Sequence, residues 1–357
     1  MKATLRTVRL ALAEPLRISR STMSARDAVW LTVEHDGLTG HGEAVSSVYY
    51  GLNTPVLERR LHEAGLELSR FGDPENALRE WPAGDRPPAV NAAVEAALLD
   101  LCGKRSGVPV HRLLGARSAR TARTPPSAPS ARTARTIGIV PAERAAAQAR
   151  SLADSGFTVI KVKAGAPDPE DDLARIRAIA SAAPRARLLL DPNGAWTSAQ
   201  ALQLLPRYAE LGVEAVEQPL APGDPEALAR LAERSPLPLI ADEDAVTYED
   251  VRRLAGRVHG VNVKLAKCGG PHAALRIAEL IEGSGTELML GCLTASTLGL
   301  APAVHLADRA RWADLDGHLL LADDPWSGIG GADGVVRASD RPGLGVRERQ
   351  VGREDAA

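Results

Sequence analysis

From residue 136 onward, the chain alternates short apolar runs with longer helical stretches at a nearly constant spacing. The apolar runs read TIGIV, TVIKVK, RLLLD, EAVEQ, LPLIAD, GVNVKL, ELMLG and WADLD. Each run is typical of a strand, and stretches such as PAERAAAQARSLADSG between them are typical of helices. The spacing of roughly 25 residues is close to one unit of a (β/α)8 barrel.

A doubly wound open sheet is the rival architecture for this pattern. Eight strands and seven helices fit between residues 136 and 316, and no glycine-rich dinucleotide fingerprint follows any of the strands. The predicted fold class is therefore α/β, with a modified TIM barrel of (β/α)7β type over residues 136–320.

The first third of the chain has a different pattern. Alternating apolar residues in AVWLTVEHDG end at Asp36-Gly37, which is a strong hairpin signal. Helical periodicity then follows over residues 54–70 and 88–107. We predict an α+β domain over residues 1–120.

Two segments lack such periodicity. Residues 117–135, RSARTARTPPSAPSARTAR, are of low complexity and cannot bury a core, so we predict an exposed or mobile connection, assigned to 121–135 between the two domains. The tail, residues 321–357, has weak periodicity and is predicted to return to the N-terminal domain.

Composition limits the class of partner. The 357 residues are 45% hydrophobic and 25% charged, and 43 basic against 45 acidic side chains give a net charge of −2. Such a balance favours a small-molecule substrate over nucleic acid or a membrane surface, and leaves a homo-oligomer open. Cys102, Cys268 and Cys292 form no CxxC pair, and no apolar run reaches about eighteen residues. We expect a soluble cytoplasmic protein.

Charged residues stand where the predicted strands end. In a barrel these ends form the active-site face, so the residues should converge although they are distant in sequence. Any one of them alone would more often be a capping or turn residue. The set consists of Lys161, Lys163, Asp191, Glu217, Asp242, Lys264, Asp314 and Asp316.

Three of these strand ends carry carboxylates that repel one another if unpaired: Asp191, Glu217 and Asp242. A divalent cation would remove the repulsion. Because neither Cys nor His accompanies them, all-oxygen ligation indicates Mg²⁺, with Mn²⁺ as the other choice, rather than Zn²⁺.

Lysines flank this acidic group. Lys161 and Lys163 point to the same side of a strand that is otherwise apolar, an arrangement too costly for a merely structural strand. Lys163 and Lys264 are two candidate bases that face each other across the barrel mouth. Together with a metal they suit proton transfer at a carbon next to a carboxylate.

The motifs KVK, DPNGAW, VEQP, ADED, VKLAKCGG and DLD, in this order, resemble the enolase superfamily, specifically its muconate-lactonizing subgroup and within it dipeptide epimerases of the L-Ala-D/L-Glu type. The segments VEHDGLTGHGEA and AALLDLCGKRSGVPVHRLLG resemble the capping domain of that family, which the C-terminal tail would complete. Mandelate racemase-like members place a histidine base on the seventh strand, where this chain has LMLGCLTAS.

The resemblance implies a role for each candidate residue. Asp191, Glu217 and Asp242 would bind Mg²⁺, and Lys163 and Lys264 would be opposed acid/base catalysts. Lys161 would stabilise developing charge. Asp314 and Asp316 would hold the α-ammonium group of a dipeptide, and Thr136 would approach the substrate. One of Arg17, Arg20 and Arg26, in a loop that closes over the barrel, would meet a substrate carboxylate, with Arg20 and Arg26 as the candidates.

Two departures from the family concern substrate fit. Ala295 stands in GCLTAS where the family often has an acidic residue, and Pro192 replaces a common alanine. The predicted activity is a two-base dipeptide epimerase acting on the C-terminal residue. Alternatives on the same residues are o-succinylbenzoate synthase, N-acylamino acid racemase and muconate cycloisomerase-like activity. A barrel that binds its ligand without turnover is a further alternative.

Overall fold

The structure, a computed structural model, describes residues 1–82, 84–115 and 127–349. It begins with an antiparallel sheet of β1 (Lys2–Ile18), β2 (Ser21–His35) and β3 (Leu38–Val45), in that order. The predicted hairpin turn joins β2 to β3. Asp36 and Gly37 have φ values of 49° and 77°, the left-handed conformation that a two-residue turn of this kind requires.

Helices cover one face of this sheet. They are α1 (Thr54–Leu68), α2 (Pro74–Glu80), α3 (Pro88–Ser106) and α4 (Val110–Leu113). Helices α1 and α3 lie where the sequence shows helical periodicity, and α3 ends at Gly107, whose φ of 72° is typical of a helix C-terminus. Helix α2 has no counterpart in the predicted pattern because seven residues are too few to show a period.

Helix α3 is apolar on nearly every side because it lies between β3 and the barrel. Two glycines of β3 permit the close contact. A Cβ atom at Gly40 would lie 2.0 Å from the carbonyl oxygen of Ala97, and one at Gly42 would lie 1.9 Å from that of Ala93. Any larger side chain would push the strand off the helix.

Part of the predicted low-complexity connection is folded. Strand β4 (Ser130–Arg132) pairs antiparallel with Val335–Arg337 of the tail, and Thr133 and Ala134 are fully buried. The prediction of an exposed connection up to residue 135 was therefore wrong at Thr133 and Ala134, because the tail supplies a partner strand that composition cannot reveal. Residues 116–126 of that segment lie outside the described residues.

The barrel is a parallel eight-stranded sheet with its strands in sequential order. Its strands are β5 (Arg135–Ile137), β6 (Val159–Lys163), β7 (Arg187–Asp191), β8 (Val213–Glu217), β9 (Leu239–Ala241), β10 (Gly260–Lys264), β11 (Glu287–Gly291) and β12 (Trp312–Asp314). The helices are α5 (Ala142–Asp154), α6 (Pro169–Ala182), α7 (Ser198–Glu210), α8 (Pro225–Ala232), α9 (Tyr248–Leu254), α10 (Leu265–Cys268), α11 (Pro271–Ile281) and α12 (Thr297–Val304).

The sheet closes between its first and last strands. The Ala134 amide donates to the Ala313 carbonyl at 2.8 Å, and the Leu315 amide donates to Thr133 Oγ1 at 2.8 Å. A doubly wound sheet reverses its strand order at a switch point and stays open. Sequential order with closure confirms the predicted α/β barrel and excludes the rival architecture.

The tail after the barrel contains β13 (Trp326–Ser327), β14 (Val335–Arg337) and β15 (Arg347–Glu348). It contacts the N-terminal sheet and its helices. The Ala322 amide donates to the Ala11 carbonyl at 2.9 Å, and the rings of Trp30 and Trp326 meet edge to face at 5.5 Å. Near the end of the tail, Gly343 accepts a hydrogen bond from the Val110 amide at 2.9 Å.

Within the described ranges, no helix has the length and apolar character needed to cross a membrane. The three cysteines, all in the described part of the chain, are free thiols.

Glu43 joins the N-terminal sheet to the barrel. Its carboxylate accepts hydrogen bonds from Trp30 Nε1 at 2.7 Å and from the Ser296 amide at 2.9 Å, and also from the Ser296 hydroxyl at the start of α12. Burial raises the pKa of Glu43 to about 7, although these three donors oppose the shift.

This raised pKa predicts a pH dependence of stability. The native state holds the Glu43 proton more tightly than the unfolded chain, so the stabilisation is complete below about pH 4.5 and is lost as the pH rises through about 7. At about 1.4 kcal/mol per pKa unit, the loss is at most about 3 kcal/mol. Denaturant unfolding of the wild type and of Glu43→Gln should therefore show the wild type losing stability relative to the variant over this range. A difference that stays constant with pH would contradict the prediction.

Candidate active site

The strand alternation selects which side chains face the barrel interior. One layer of the interior is built from Ala134, Val159, Leu189, Ala215, Ile240, Met289 and Trp312. Because successive side chains alternate between faces, the residues two positions further along five of these strands also face inward, now at the C-terminal end. They are Lys161, Asp191, Glu217, Asp242 and Asp314. The structure thus brings the predicted strand-end residues together.

Lys161 lies at the centre of this group and is 2% exposed. Its Nζ atom lies 3.0 Å from Asp191 Oδ2, 2.6 Å from Glu217 Oε2 and 2.7 Å from Asp314 Oδ2. Three carboxylates from three strands therefore surround one ammonium group. These ion pairs offset the desolvation penalty of burying the Lys161 ammonium group, since each buried charge has an opposite charge beside it.

Lys163 and Lys264 lie on opposite sides of the barrel mouth. They end β6 and β10, which are four strands apart in a closed sheet of eight, and so are half a turn from each other. Lys163 donates to Asp191, and Lys264 donates to Asp242 Oδ2 at 2.8 Å. A molecule bound in the mouth would present one face to each lysine.

The pKa values follow from burial and from these neighbours. Burial raises the pKa of Glu217, and the repulsion of Asp191 adds to it against the attraction of Lys161, giving about 7. Burial acts in the same direction on Asp191 and Asp242, but the adjacent lysines outweigh it and hold both pKa values below the usual range. Burial lowers the pKa of Lys264, and Asp242 and Glu217 more than reverse this, so it is raised.

The three predicted metal ligands are all buried at neighbouring strand ends, but lysines stand between them. In the described part of the chain, no three Asp, Glu, His or Cys side chains are gathered closely enough to hold a metal ion directly. The positive charges beside Asp191 are those of Lys161 and Lys163, and Lys161 is also beside Glu217. Those beside Asp242 are Lys264 and Lys267. The metal site stays a prediction.

Asp314 and Asp316 lie at the end of the last barrel strand, and both are buried. Besides the Asp314–Lys161 pair, Asp316 Oδ2 accepts hydrogen bonds from the Thr136 amide at 2.7 Å and from Arg135 at 3.2 Å. Thr136 thus reaches the site through its backbone. Burial and the nearby Asp316 raise the pKa of Asp314 against the opposing effect of Lys161.

A cavity of about 500 Å³ opens above these residues, and the loop between β1 and β2 forms part of its wall. Arg20 in this loop donates to Glu243 at 2.7 Å and to the Asn193 carbonyl at 3.1 Å, and its guanidinium stacks on Tyr49 at 4.4 Å. The prediction that Arg26 lies in this loop was wrong, because β2 begins at Ser21 and Arg26 pairs with Leu10 of β1, but its side chain also lines the cavity. Both predicted arginines therefore reach the site, Arg20 by bridging the loop to the barrel.

The motif analysis assigned no role to Lys267. This lysine is 2% exposed and donates to Asp242 Oδ1 at 2.5 Å, to the Asp242 carbonyl at 2.6 Å and to the Asn262 carbonyl at 3.0 Å. Its spacing of three from Lys264 was the available signal. The chain changes from strand to helix at Leu265, and the turn of α10 brings Lys267 back under Asp242.

Asn262 and Arg135 were also missed. Asn262 faces inward on β10 and donates to Glu217 Oε1 at 2.8 Å, so it holds the carboxylate that Lys161 contacts on its other oxygen. Arg135 is the ionic partner of Asp316. Both were invisible in the sequence because an Asn within a strand and an Arg at the end of a low-complexity segment carry no pattern of their own.

Comparisons with known proteins agree with this geometry. Residues 144–350 match the family described as "Enolase C-terminal domain-like". The hydrophobic dipeptide epimerase of Roseobacter litoralis is 33% identical over 97% of this chain and 98% of that relative. The L-Ala-D/L-Glu epimerase of Bacteroides thetaiotaomicron is 30% identical over 97% of this chain and 88% of that relative.

Among solved structures, the dipeptide epimerase of Enterococcus faecalis V583, complexed with Mg and the dipeptide L-Leu-L-Tyr, superposes with a TM-score of 0.88. It is 28% identical, and the match covers 97% of this chain and 98% of that chain. The predicted superfamily is thus confirmed by sequence and by fold, and the chain belongs to the enolase C-terminal domain-like family.

Proposed function

We propose that this chain is a Mg²⁺-dependent dipeptide epimerase that inverts the α-carbon of the C-terminal residue. The observation that carries the proposal is the placement of Lys163 and Lys264 half a turn apart around one acidic centre. The relatives and the solved structure described above are dipeptide epimerases, which supports the same activity.

The chemistry of the donor set suits a Mg²⁺ ion, although lysines stand between the three carboxylates. Asp191, Glu217 and Asp242 are at most 1% exposed and offer only oxygen, the ligand that Mg²⁺ prefers. Glu217 Oε2 is buried and, among the described residues, accepts no hydrogen bond of normal geometry, although Lys161 is near. These three residues would hold the ion. When bound, it supplies positive charge that stabilises the anion formed on loss of the α-proton.

The proton transfer needs two lysines in opposite protonation states. A neutral Nζ on one side takes the α-proton, and the electron pair of the broken C–H bond moves into the substrate carboxylate to give an enediolate. The protonated Nζ on the other side returns a proton to the opposite face of the carbon, so the configuration inverts. Lys163 and Lys264 exchange roles for the reverse direction, and the buried ammonium of Lys161 adds charge stabilisation.

The remaining roles concern substrate binding. Asp314 and Asp316 would bind the α-ammonium group of the dipeptide through charge-assisted hydrogen bonds. The Thr136 amide fixes the orientation of Asp316 at 2.7 Å. Arg20 ties the loop over the cavity to Glu243 and Asn193, which closes that side of the mouth.

Hydrogen–deuterium exchange tests the proposal directly. The purified protein with Mg²⁺ and a dipeptide library in D₂O should incorporate one deuterium at the α-carbon of the C-terminal residue of its substrates, as read by mass spectrometry. Incorporation into no dipeptide would defeat the proposal. Binding without incorporation would indicate the non-catalytic barrel, and exchange only in succinyl or muconate-type acids would indicate the synthase or cycloisomerase alternatives.

One observation favours N-acylamino acid racemase as a second candidate. Asp314 and Asp316 already have cationic partners within the protein, Lys161 and Arg135, so neither strictly requires a substrate ammonium. If they do bind one, Asp316→Asn should cost about 2 to 5 kcal/mol in transition-state binding of a free dipeptide. N-acetylated dipeptides should then be poor substrates of the wild type. Equal kcat/KM for free and N-acetylated dipeptides would favour the racemase.

The proposal also includes a cytoplasmic location, which the three free cysteines support. A homo-oligomer stays a prediction, and light scattering of the purified protein would test it.

A further inference from the structure

The cavity is lined by nine charged side chains, and they differ in whether an oppositely charged group lies beside them. They are Arg20, Arg26, Lys161, Lys163, Asp242, Glu243, Lys264, Asp314 and Asp316. Eight of them form ion pairs with described residues. Over 1–82, 84–115 and 127–349, Arg26 is the exception, since no carboxylate lies within ion-pair distance of it.

Arg26 has only neutral partners. Its guanidinium donates to the Ser46 carbonyl and to Met23 Sδ at 3.1 Å, and its buried Nε atom has no hydrogen-bond acceptor among the described residues. Burial also lowers the pKa of Arg26, and the opposing effect of Cys292 does not reverse this. A half-buried guanidinium without a counterion is costly, and an anion entering the cavity would relieve that cost.

The position of Arg26 within the cavity indicates which part of a ligand it meets. Cys292, the group that acts electrostatically on Arg26, directly follows Gly291, which pairs with Asp314 on the neighbouring strand. Cys292 also interacts with Asp314 and Asp316. Cys292 lies beside the residue that follows Asp316, since a Cβ atom at Gly317 would be 3.1 Å from its Sγ atom, and Arg26 lines the same cavity as Cys292 and the two aspartates.

Arg20 lies elsewhere and is not free to bind an anion. It contacts Glu243 and Asn193, which follow β9 and β7, and its charge is compensated by Glu243 at 2.7 Å. Arg20 and Arg26 thus differ in charge balance and in position, although the sequence suggests the same role for both.

We propose that Arg26 makes this enzyme selective for dipeptides whose N-terminal residue has a carboxylate side chain. This inference rests on the proposed function. Asp314 and Asp316 take the α-ammonium of that residue, and Arg26 takes the side-chain carboxylate of the same residue. A planar guanidinium suits a carboxylate, because the two groups can form parallel charge-assisted hydrogen bonds.

Matched dipeptides test this inference. One pair consists of L-Glu-L-Ala and L-Gln-L-Ala, which have nearly the same shape and differ by one negative charge on the N-terminal residue. The second pair, L-Ala-L-Glu and L-Ala-L-Gln, has the same difference on the C-terminal residue. With the Mg²⁺-loaded wild type, kcat/KM for L-Glu-L-Ala should exceed that for L-Gln-L-Ala by about tenfold or more. Arg26→Met should remove this preference, and Arg26→Lys should keep part of it.

The control is Arg9→Met, which removes a solvent-exposed guanidinium of the adjacent strand that is paired with Asp27 at 3.7 Å. It should leave the preference unchanged. Equal kcat/KM for L-Glu-L-Ala and L-Gln-L-Ala in the wild type would overturn the inference. A preference for L-Ala-L-Glu over L-Ala-L-Gln that Arg26→Met removes would also overturn the inference. It would show that Arg26 binds a carboxylate on the C-terminal residue and not on the N-terminal one.

Calorimetric binding of the same four dipeptides with Mg²⁺ separates this inference from the proposed function. If L-Glu-L-Ala binds more tightly than L-Gln-L-Ala and Arg26→Met loses this difference, the inference is supported even when no dipeptide exchanges its α-proton. Absence of exchange would contradict only the proposed epimerase activity. Exchange with equal binding of the Glu and Gln forms would overturn the inference and leave the epimerase standing.

Discussion

Replacement of Lys163 by alanine is expected to abolish epimerisation, as is replacement of Lys264, while each variant still exchanges the α-proton of one epimer with solvent. A positioned general base contributes about 10² to 10⁴ in rate, and inversion requires both the base and the opposed acid. The loss of inversion should therefore be at least about 10²-fold in each variant, with the two variants retaining exchange of opposite epimers.

The reason is the half-turn separation of β6 and β10. Each lysine can reach only one face of a carbon held above the carboxylates, so the remaining lysine serves the epimer that presents its proton to that side. The measurement is deuterium uptake in D₂O, followed by NMR for each pure epimer with each variant.

Lys2→Ala, which removes an exposed lysine of β1, is the control and should retain both activities. Exchange of the same epimer by both active-site variants would contradict the opposed geometry. A dehydratase or cycloisomerase would then be the better assignment.

Much of this site could be predicted because strand alternation is a local property. Once a strand is recognised, the residue at its C-terminal end and the one two positions before it share a face, as in Lys161 and Lys163. Barrel topology then places all such ends at one mouth. The convergence of Asp191 and Asp242 with these lysines needed no information beyond the sequence.

Pairing within the site could not be predicted, because it depends on contacts between distant parts of the chain. The sequence treats Arg20 and Arg26 alike, yet only Arg20 meets Glu243. Likewise, β4 forms because the tail supplies Val335–Arg337 as its partner, although its own residues have low complexity. In both cases the deciding group lies more than 200 residues away.

Replacement of Asp242 by asparagine is expected to remove nearly all turnover and to weaken Mg²⁺ binding strongly. Asp242 is buried, and Lys264 and Lys267 hold its pKa well below the usual range, so its carboxylate is fully charged at neutral pH. Asparagine keeps the shape and removes the charge that would attract the ion. A ligand that binds only the native state raises its stability, so Mg²⁺ alone should raise the Tm of the wild type and not that of Asp242→Asn.

Asp244→Asn is the matched control for this experiment. Asp244 is two residues from Asp242, but its carboxylate accepts hydrogen bonds from Gln218 Nε2 and the Gly223 amide, both at 2.7 Å, and does not line the cavity. Its replacement should leave Mg²⁺ affinity near the wild-type value. Turnover that survives a chelator, or an Asp242→Asn protein that binds Mg²⁺ as tightly as the wild type, would contradict the metal site. In that case the lysines that contact Asp191, Glu217 and Asp242 in the structure would themselves be the permanent counterions of these carboxylates.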